Sequence, residues 1–180
     1  MIRIMRPDIG GQQGLVDICN HIKKNINVQK MAEVGYYAGQ STLIFHANLE
    51  NLKELHAIDP YSLEYNTDNL FNTNNIEQIY QTFLNNIKPY SIIKHTRLSS
   101  EEGAKQFEDD YFDFVYVDGC HKYESVIKDI ESWKPKIKSG GYLSFHDADF
   151  SSVTTAVSKY FKLDDGFMSI DNSITFKVQK

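Results

Sequence analysis

The feature that most constrains this chain is an alternation of short apolar runs with amphipathic stretches, continuing from residue 12 to about residue 160. Leu15, Ile18, Cys19 and Ile22 recur at helical spacing, so an opening helix is expected over about 10–25. "VQKMAEV" predicts a first strand, "STLIFHANLE" a helix capped by Ser41 or Thr42, and "KELHAID" a second strand ending on Asp59. "IEQIYQTFLNNI" predicts a helix, "YSIIKHT" a third strand, and "SSEEGAKQF" the start of a short helix. "FDFVYVDG", aromatic and β-branched, is the strongest strand signal. An amphipathic helix, "KYESVIKDIESWKPKI", follows it, with Pro135 in the final turn; then come the strand "SGGYLSFHD" and the helix "VTTAVSKYF". "GFMSI" and "SITFKVQK" flank Asp171-Asn172, which reads as a hairpin turn.

Such alternation implies one α/β domain over 1–180, a mostly parallel sheet with helices on both faces. The final connection is too short for a parallel pair, so one terminal strand runs antiparallel. Residues 61–75, rich in Asn and Tyr, read as an inserted loop, a candidate lid. With 41% hydrophobic residues the chain can build a packed core. A net charge of −5 argues against a free basic face for nucleic acid. No run reaches the roughly 18 apolar residues of a membrane span. Cys19 and Cys120 have neither metal nor CxxC spacing, and the N-terminal stretch is too short and polar for a secretion signal; a reduced, cytoplasmic protein is expected.

The first strand–turn–helix unit is where an α/β sheet binds its ligand. Its turn, "AEVGYYAGQST", carries Gly35 and Gly39 in a GxxxG spacing; that is neither the GxGxxG of dinucleotide sites nor a P-loop. One glycine suits a sharp turn and the other a close backbone approach to a ligand. Asp59, at the end of the next strand, is placed to accept the hydroxyls of a ribose.

"AEVGYYAGQST", "AIDPY" and "FDFVYVDGCHKYESVIKDIESWKPKIKSGGYLSFHD", in that order, resemble the class I S-adenosylmethionine-dependent methyltransferases. The resemblance is to the small-molecule O-methyltransferase branch of catechol-type and macrocin-type enzymes, and it covers residues 30 to about 150. It implies a Rossmann-like, doubly wound, seven-stranded sheet of order 3-2-1-4-5-7-6 with one antiparallel C-terminal strand. It implies further that Glu33, Gly35, Tyr36, Gly39 and Ser41 line the cofactor, that Asp59 holds the ribose, and that Ser99 lies toward the adenine, with Asp118 at the edge of the same site. The Gly-Asp frequent in the family near the adenine is absent here.

A second group collects at two strand ends: Asp118, His121, His146 and Asp147, with Asp149 nearby. Oxygen and imidazole donors at strand ends can hold a divalent metal, which would lower the pKa of a bound hydroxyl. The resemblance matches Asp118, His146 and Asp147 to the metal positions of metal-dependent members, for Mg2+ or another divalent cation. A histidine in place of a carboxylate admits softer ions. His121 stands where catechol-type enzymes carry a base, and imidazole, with an unperturbed pKa of ~6.5, suits that task together with Asp118.

Plainer readings stand beside these. Asp59 and Asp118 each precede a turn-forming residue and can serve as turn caps. His146 reads equally as a core histidine, His121 as a helix-start residue, and Asp149 as a cap. Tyr36 and Tyr37 either cover a cofactor or pack the sheet edge. The expected activity is in-line transfer of a sulfonium methyl group to a hydroxyl of a small molecule such as a sugar or phenol. The expected partner is that acceptor, with no nucleic acid or membrane, and a homodimer is compatible. Two other classes remain open: a nucleotide-binding α/β oxidoreductase, which tight NAD binding would reveal, and a non-catalytic interaction module, whose role would survive loss of His121 and Asp118.

Overall fold

The computed structural model describes residues 9–63 and 75–180. The chain runs α1 (Ile9–Lys23), β1 (Lys30–Val34), α2 (Gln40–Asn48), β2 (Glu54–Ile58), α3 (Ile76–Ile87), β3 (Ile93–Thr96) and α4 (Ser100–Ala104). It continues through β4 (Phe112–Val117), α5 (Tyr123–Trp133), β5 (Ile137–Phe145), α6 (Ser151–Val157), β6 (Phe167–Met168) and β7 (Ile174–Lys177). Among the described residues seven strands form one sheet of order β3-β2-β1-β4-β5-β7-β6. All neighbours pair in parallel except β7, which is antiparallel to both β5 and β6. The fold expected from the alternation and the terminal hairpin is therefore the one observed. Most of the candidate lid, 61–75, lies outside the described residues.

Two apolar layers cover the sheet. On one face Ile18 and Ile22 of α1, Phe45 of α2 and Phe83 of α3 close over Phe114 and Tyr116. On the other, Val126, Ile130 and Trp133 of α5 and Val153 and Ala156 of α6 close over Val115, Val117 and Phe145. β4 lies between both layers, which is why "FDFVYV" is apolar on nearly every residue rather than on alternate ones. Its register places Glu33, Tyr116, Ser144 and Thr175 side by side across β1, β4, β5 and β7, all buried. The hydroxyls of Ser144 and Thr175 pair at 2.8 Å, and those of Tyr116 and Ser173 at 3.4 Å. This polar row underlies the C-terminal strand ends, where Asp118 and His146 follow.

The start of α2 departs from the sequence expectation. Gly39, with φ +83°, is the N-cap, and no side chain caps the helix. Ser41 and Thr42 lie inside the first turn, and Thr42 Oγ1 donates instead to buried Glu33. Satisfying a carboxylate inside the core outweighs capping a helix end that water or a ligand can reach.

Phe114 lies in the central strand, fully buried against Phe45. Phe114→Ala is expected to cost about 3–5 kcal/mol, read as a lower urea midpoint; a loss under about 1 kcal/mol contradicts this packing.

Candidate active site

The turn after β1 is pressed against the end of β4. Asp118 N–H donates to Val34 O at 2.7 Å, and Gly35 N–H donates to Ile58 O at 2.8 Å. A Cβ on Gly35, whose φ is +79°, would stand 2.1 Å from the Asp118 carbonyl oxygen. Gly35 is thus required by left-handed backbone and by contact with its neighbouring strand. Gly39 has a similar need: a Cβ there would lie 2.7 Å from Phe83 Cδ2. Both glycines answer to protein packing, where the sequence suggested a ligand for Gly39.

Glu33 is fully buried. Its Oε2 accepts from Thr42, and its Oε1 has no hydrogen-bond partner among the described residues. Burial pushes its carboxyl up to about 8; the Ser41 and Thr42 hydroxyls oppose this, while Asp118 and Asp59 add to it. Asp59 is likewise raised by burial, against the N–H groups that hold it, with Asp118 adding to the rise. Tyr61 N–H donates to Asp59 Oδ1 at 2.8 Å and Tyr36 N–H to Oδ2 at 3.3 Å, so backbone donors fix this carboxylate at the mouth of β2. Three acids at the ends of β1, β2 and β4 therefore face one another, an arrangement that a cationic ligand would relieve.

Other expected cofactor residues are used differently. The Tyr36 side chain is buried against Phe83 and Tyr61 and belongs to the core. The Tyr36 backbone remains at the turn, its N–H bound to Asp59. Ser99 Oγ caps α4 by accepting from Glu102 N–H at 3.4 Å, and Ser100 Oγ accepts from Trp133 Nε1 at 2.8 Å. Asp129 was missed by the sequence reading. It is buried on the inner face of α5, and burial pushes it up to about 7 against a hydrogen bond from Ser100. Its position between Val126, Ile130 and Trp133, an acid on an apolar stripe, was the available signal.

The second group converges. His121 Nε2 lies 2.9 Å from Asp147 Oδ2 and 3.7 Å from Asp118 Oδ1. His146 Nδ1 lies 2.9 Å and 3.3 Å from the same two oxygens. The four side chains are 14–31% exposed, so the group is open on one side. The ligand atoms of Asp118, His121 and Asp147 all lie within 4.8 Å of one another. His146 is anchored by its N–H to Val117 O at 3.0 Å, and Asp147 turns the chain with φ +53°, a conformation that Asp tolerates better than most residues. Asp149 belongs to the loop ahead of α6, whose N-cap is Phe150.

Burial opposes charge on both histidines, but Asp118 and Asp147 overcome it, pushing His121 up to about 10 and His146 to about 11. Burial pushes the carboxyls of Asp118 and Asp147 up, yet the histidines hold both below the usual range. His121 therefore carries its proton at neutral pH in the free protein. It would have to release that proton before acting as a base, and it shares both carboxylates with His146.

Strand order, glycine turn and acids at the switch point define a Rossmann-like domain of the class I S-adenosylmethionine-dependent methyltransferase type. A family model described as a methyltransferase domain matches residues 32–148, and the chain belongs to that family. Uncharacterized protein R132 of Acanthamoeba polyphaga mimivirus is 27% identical over 118 residues, 64% of this chain and 49% of the relative. The matched region thus spans about half the length of that relative. Among solved structures, the O-methyltransferase NovP is 16% identical with a TM-score of 0.65, covering 96% of this chain and 81% of its own. A putative caffeoyl-CoA O-methyltransferase from Staphylococcus aureus is 16% identical with a TM-score of 0.64, covering 91% and 82%. These likenesses establish the fold. No described helix is long and apolar enough to cross a membrane.

The Glu33 carboxyl gives a pH signature. Its folded value of about 8 stands above the ordinary 4.5, so the folded state holds a proton that the unfolded chain releases between those values. Its contribution to stability is full below pH ~4.5 and falls by up to about 1.4 kcal/mol per pH unit until pH ~8. Glu33→Gln removes that loss. The variant is expected to gain on the parent in urea melts as pH rises from 5.5 to 8.5, and a gap constant with pH contradicts the buried proton.

Proposed function

We propose that this domain transfers the methyl group of S-adenosylmethionine to a hydroxyl oxygen of a small molecule. The observation that carries this reading is the pairing of two sites at adjacent strand ends. One is the acid-lined turn of Glu33, Asp59 and Asp118; the other is the Asp118, His121, His146 and Asp147 cluster. The cofactor is a sulfonium with an ammonium group, and the unpartnered Glu33 Oε1 beside two further carboxylates suits such a cation. Asp59, fixed by two backbone N–H groups, keeps lone pairs for a ribose. Backbone at Gly35, Tyr36 and Gly39, with Ser41, would border the methionine portion, and the Ser99 backbone the base.

Direct displacement needs the acceptor oxygen, the methyl carbon and the sulfur in line, which is chiefly a positioning task. The cluster opens beside the turn and shares Asp118 with it, so an acceptor hydroxyl resting on the cluster is next to the cofactor. The donor set of carboxylate oxygens and imidazole nitrogens fits a divalent cation. Such a cation would supply positive charge that acidifies a hydroxyl placed against it. Asp118 and Asp147 would hold it, and His121 and His146 would release their protons in its presence. The NovP and caffeoyl-CoA O-methyltransferase likenesses support oxygen as the acceptor atom.

Calorimetry with S-adenosylmethionine and with its demethylated product tests the cofactor; absence of binding by both sinks the proposal. Asp59→Ala is expected to weaken binding at least about 10-fold, since it removes charge-assisted hydrogen bonds. With a hydroxylated acceptor, His121→Ala is expected to lower kcat about 100-fold or more while cofactor affinity changes under about 3-fold. Full activity in excess chelator would assign the cluster to proton transfer alone.

A further inference from the structure

Asp129 is a buried acid that belongs to neither group of the proposed site. From its placement we infer that it is a positioning residue for the purine end of the cofactor. Through the Ser100 hydroxyl it fixes the turn between β3 and α4 against the turn between β4 and α5, so that the two form one wall for the base. The identity of the ligand rests here on the proposed function.

Three observations converge on this. The first is a directed chain of hydrogen bonds. Trp133 Nε1 donates to Ser100 Oγ at 2.8 Å. An indole nitrogen can only donate, so the Ser100 O–H is left to donate onward, and the Asp129 carboxyl accepts it. Two side chains of α5 thus hold the first residue of α4 through one hydroxyl. The surface pair of Lys128 with Glu101, at 3.3 Å, is a weaker tie between the same two helices. The second observation is what the chain holds in place. Ser99 stands immediately before Ser100. Gly103, further along α4, lies so near β2 that a Cβ there would stand 2.6 Å from Ile58 Cγ2. Ile58 precedes Asp59, and Asp59 N–H donates to Thr96 O, at the end of β3, at 3.2 Å. α4 is therefore clamped between α5 and the strand end that carries the ribose acid. A shift of Ser100 displaces the Ser99 backbone relative to Asp59.

The third observation is space. Apart from its chain neighbours, a Cβ on Gly119 would meet only Val34 Cγ1 at 3.9 Å and Asp129 Oδ2 at 4.0 Å among the described residues. Gly35 and Gly39, by contrast, are closed in by backbone or ring at under 3 Å. Bare Gly119 thus faces a gap between the end of β1 and Asp129, with room for the edge of a flat ring. An acid is costly in this place. Asp129 is 5% exposed, and burial pushes its carboxyl up to about 7. An apolar residue would fill the inner face of α5 without that cost, so the carboxyl is explained by the hydroxyl it holds.

The test measures, by calorimetry on the full chain, binding of the demethylated product of S-adenosylmethionine and of methylthioadenosine, which keeps purine and ribose but lacks the amino acid. Asp129→Ala and Ser100→Ala are each expected to weaken binding of the product about 10-fold or more, since misplacing one wall costs contacts along the whole base. Asp129→Asn, whose amide oxygen still accepts from Ser100, is expected to stay within about 3-fold of the parent. Methylthioadenosine is expected to lose about the same factor as the product, because the effect acts at the base end. Circular dichroism confirms that each variant is folded, and either folded alanine variant alone decides the matter. A folded alanine variant that binds the product within about 3-fold of the parent overturns the inference. So does an Asp129→Asn variant as weak as the alanine variants, or a loss confined to the product and absent with methylthioadenosine. Each of these results leaves the proposed function standing. A parent chain that binds neither ligand defeats the proposed function itself, and the inference with it.

Discussion

The contact on which the rest depends is that between the ends of β1 and β4. Val34 O accepts from Asp118 N–H, and the absence of a side chain at Gly35 lets the Asp118 carbonyl lie against the turn. One strand end thereby serves two sites. The backbone of Asp118 shapes the glycine turn, and its carboxylate belongs to the histidine cluster. The inward face of β4 makes this possible. Phe114 and Tyr116 bury the strand under α1, α2 and α3, and after Asp113 near the strand's start the next charged side chain is Asp118, just past its end.

Much of the fold was legible because its signals are local. A central strand buried on both faces reads as a continuous apolar run, and α5 shows its inner face through Val126, Ile130 and Trp133. The hairpin was visible in Asp171-Asn172, and Asn172 does adopt positive φ. The caps of α2 were not legible, because the fate of Ser41 and Thr42 depends on Glu33, a residue from another element. The packing demand on Gly39 was hidden for the same reason: the ring that a side chain there would meet, Phe83, lies far along the chain on α3.

The site was legible in its membership and not in its division of labour. Residue types at strand ends gave Asp118, His121, His146 and Asp147, since parallel strands bring their C-terminal ends together. That both imidazoles face the same two oxygens is a matter of tertiary distances. So is the raised pKa of His121, which follows from Asp118, three residues before it, together with Asp147, brought in from the end of another strand. Tyr36 shows the opposite limit. Its place within the turn suggested a ligand contact, and only the packing of Phe83 and Tyr61 turned the ring inward.

The acid-lined turn has a consequence for the protein's life in solution. Burial, with the neighbouring carboxylates adding to it, disfavours charge on Glu33 and Asp59, so ionising them costs the empty fold what it does not cost the unfolded chain. A cation bound there offsets that cost and stabilises only the folded state. Its concentration then sets the fraction of chains exposed to proteolysis as well as the occupancy of the site. The steady amount of this protein would rise and fall with the supply of its own ligand.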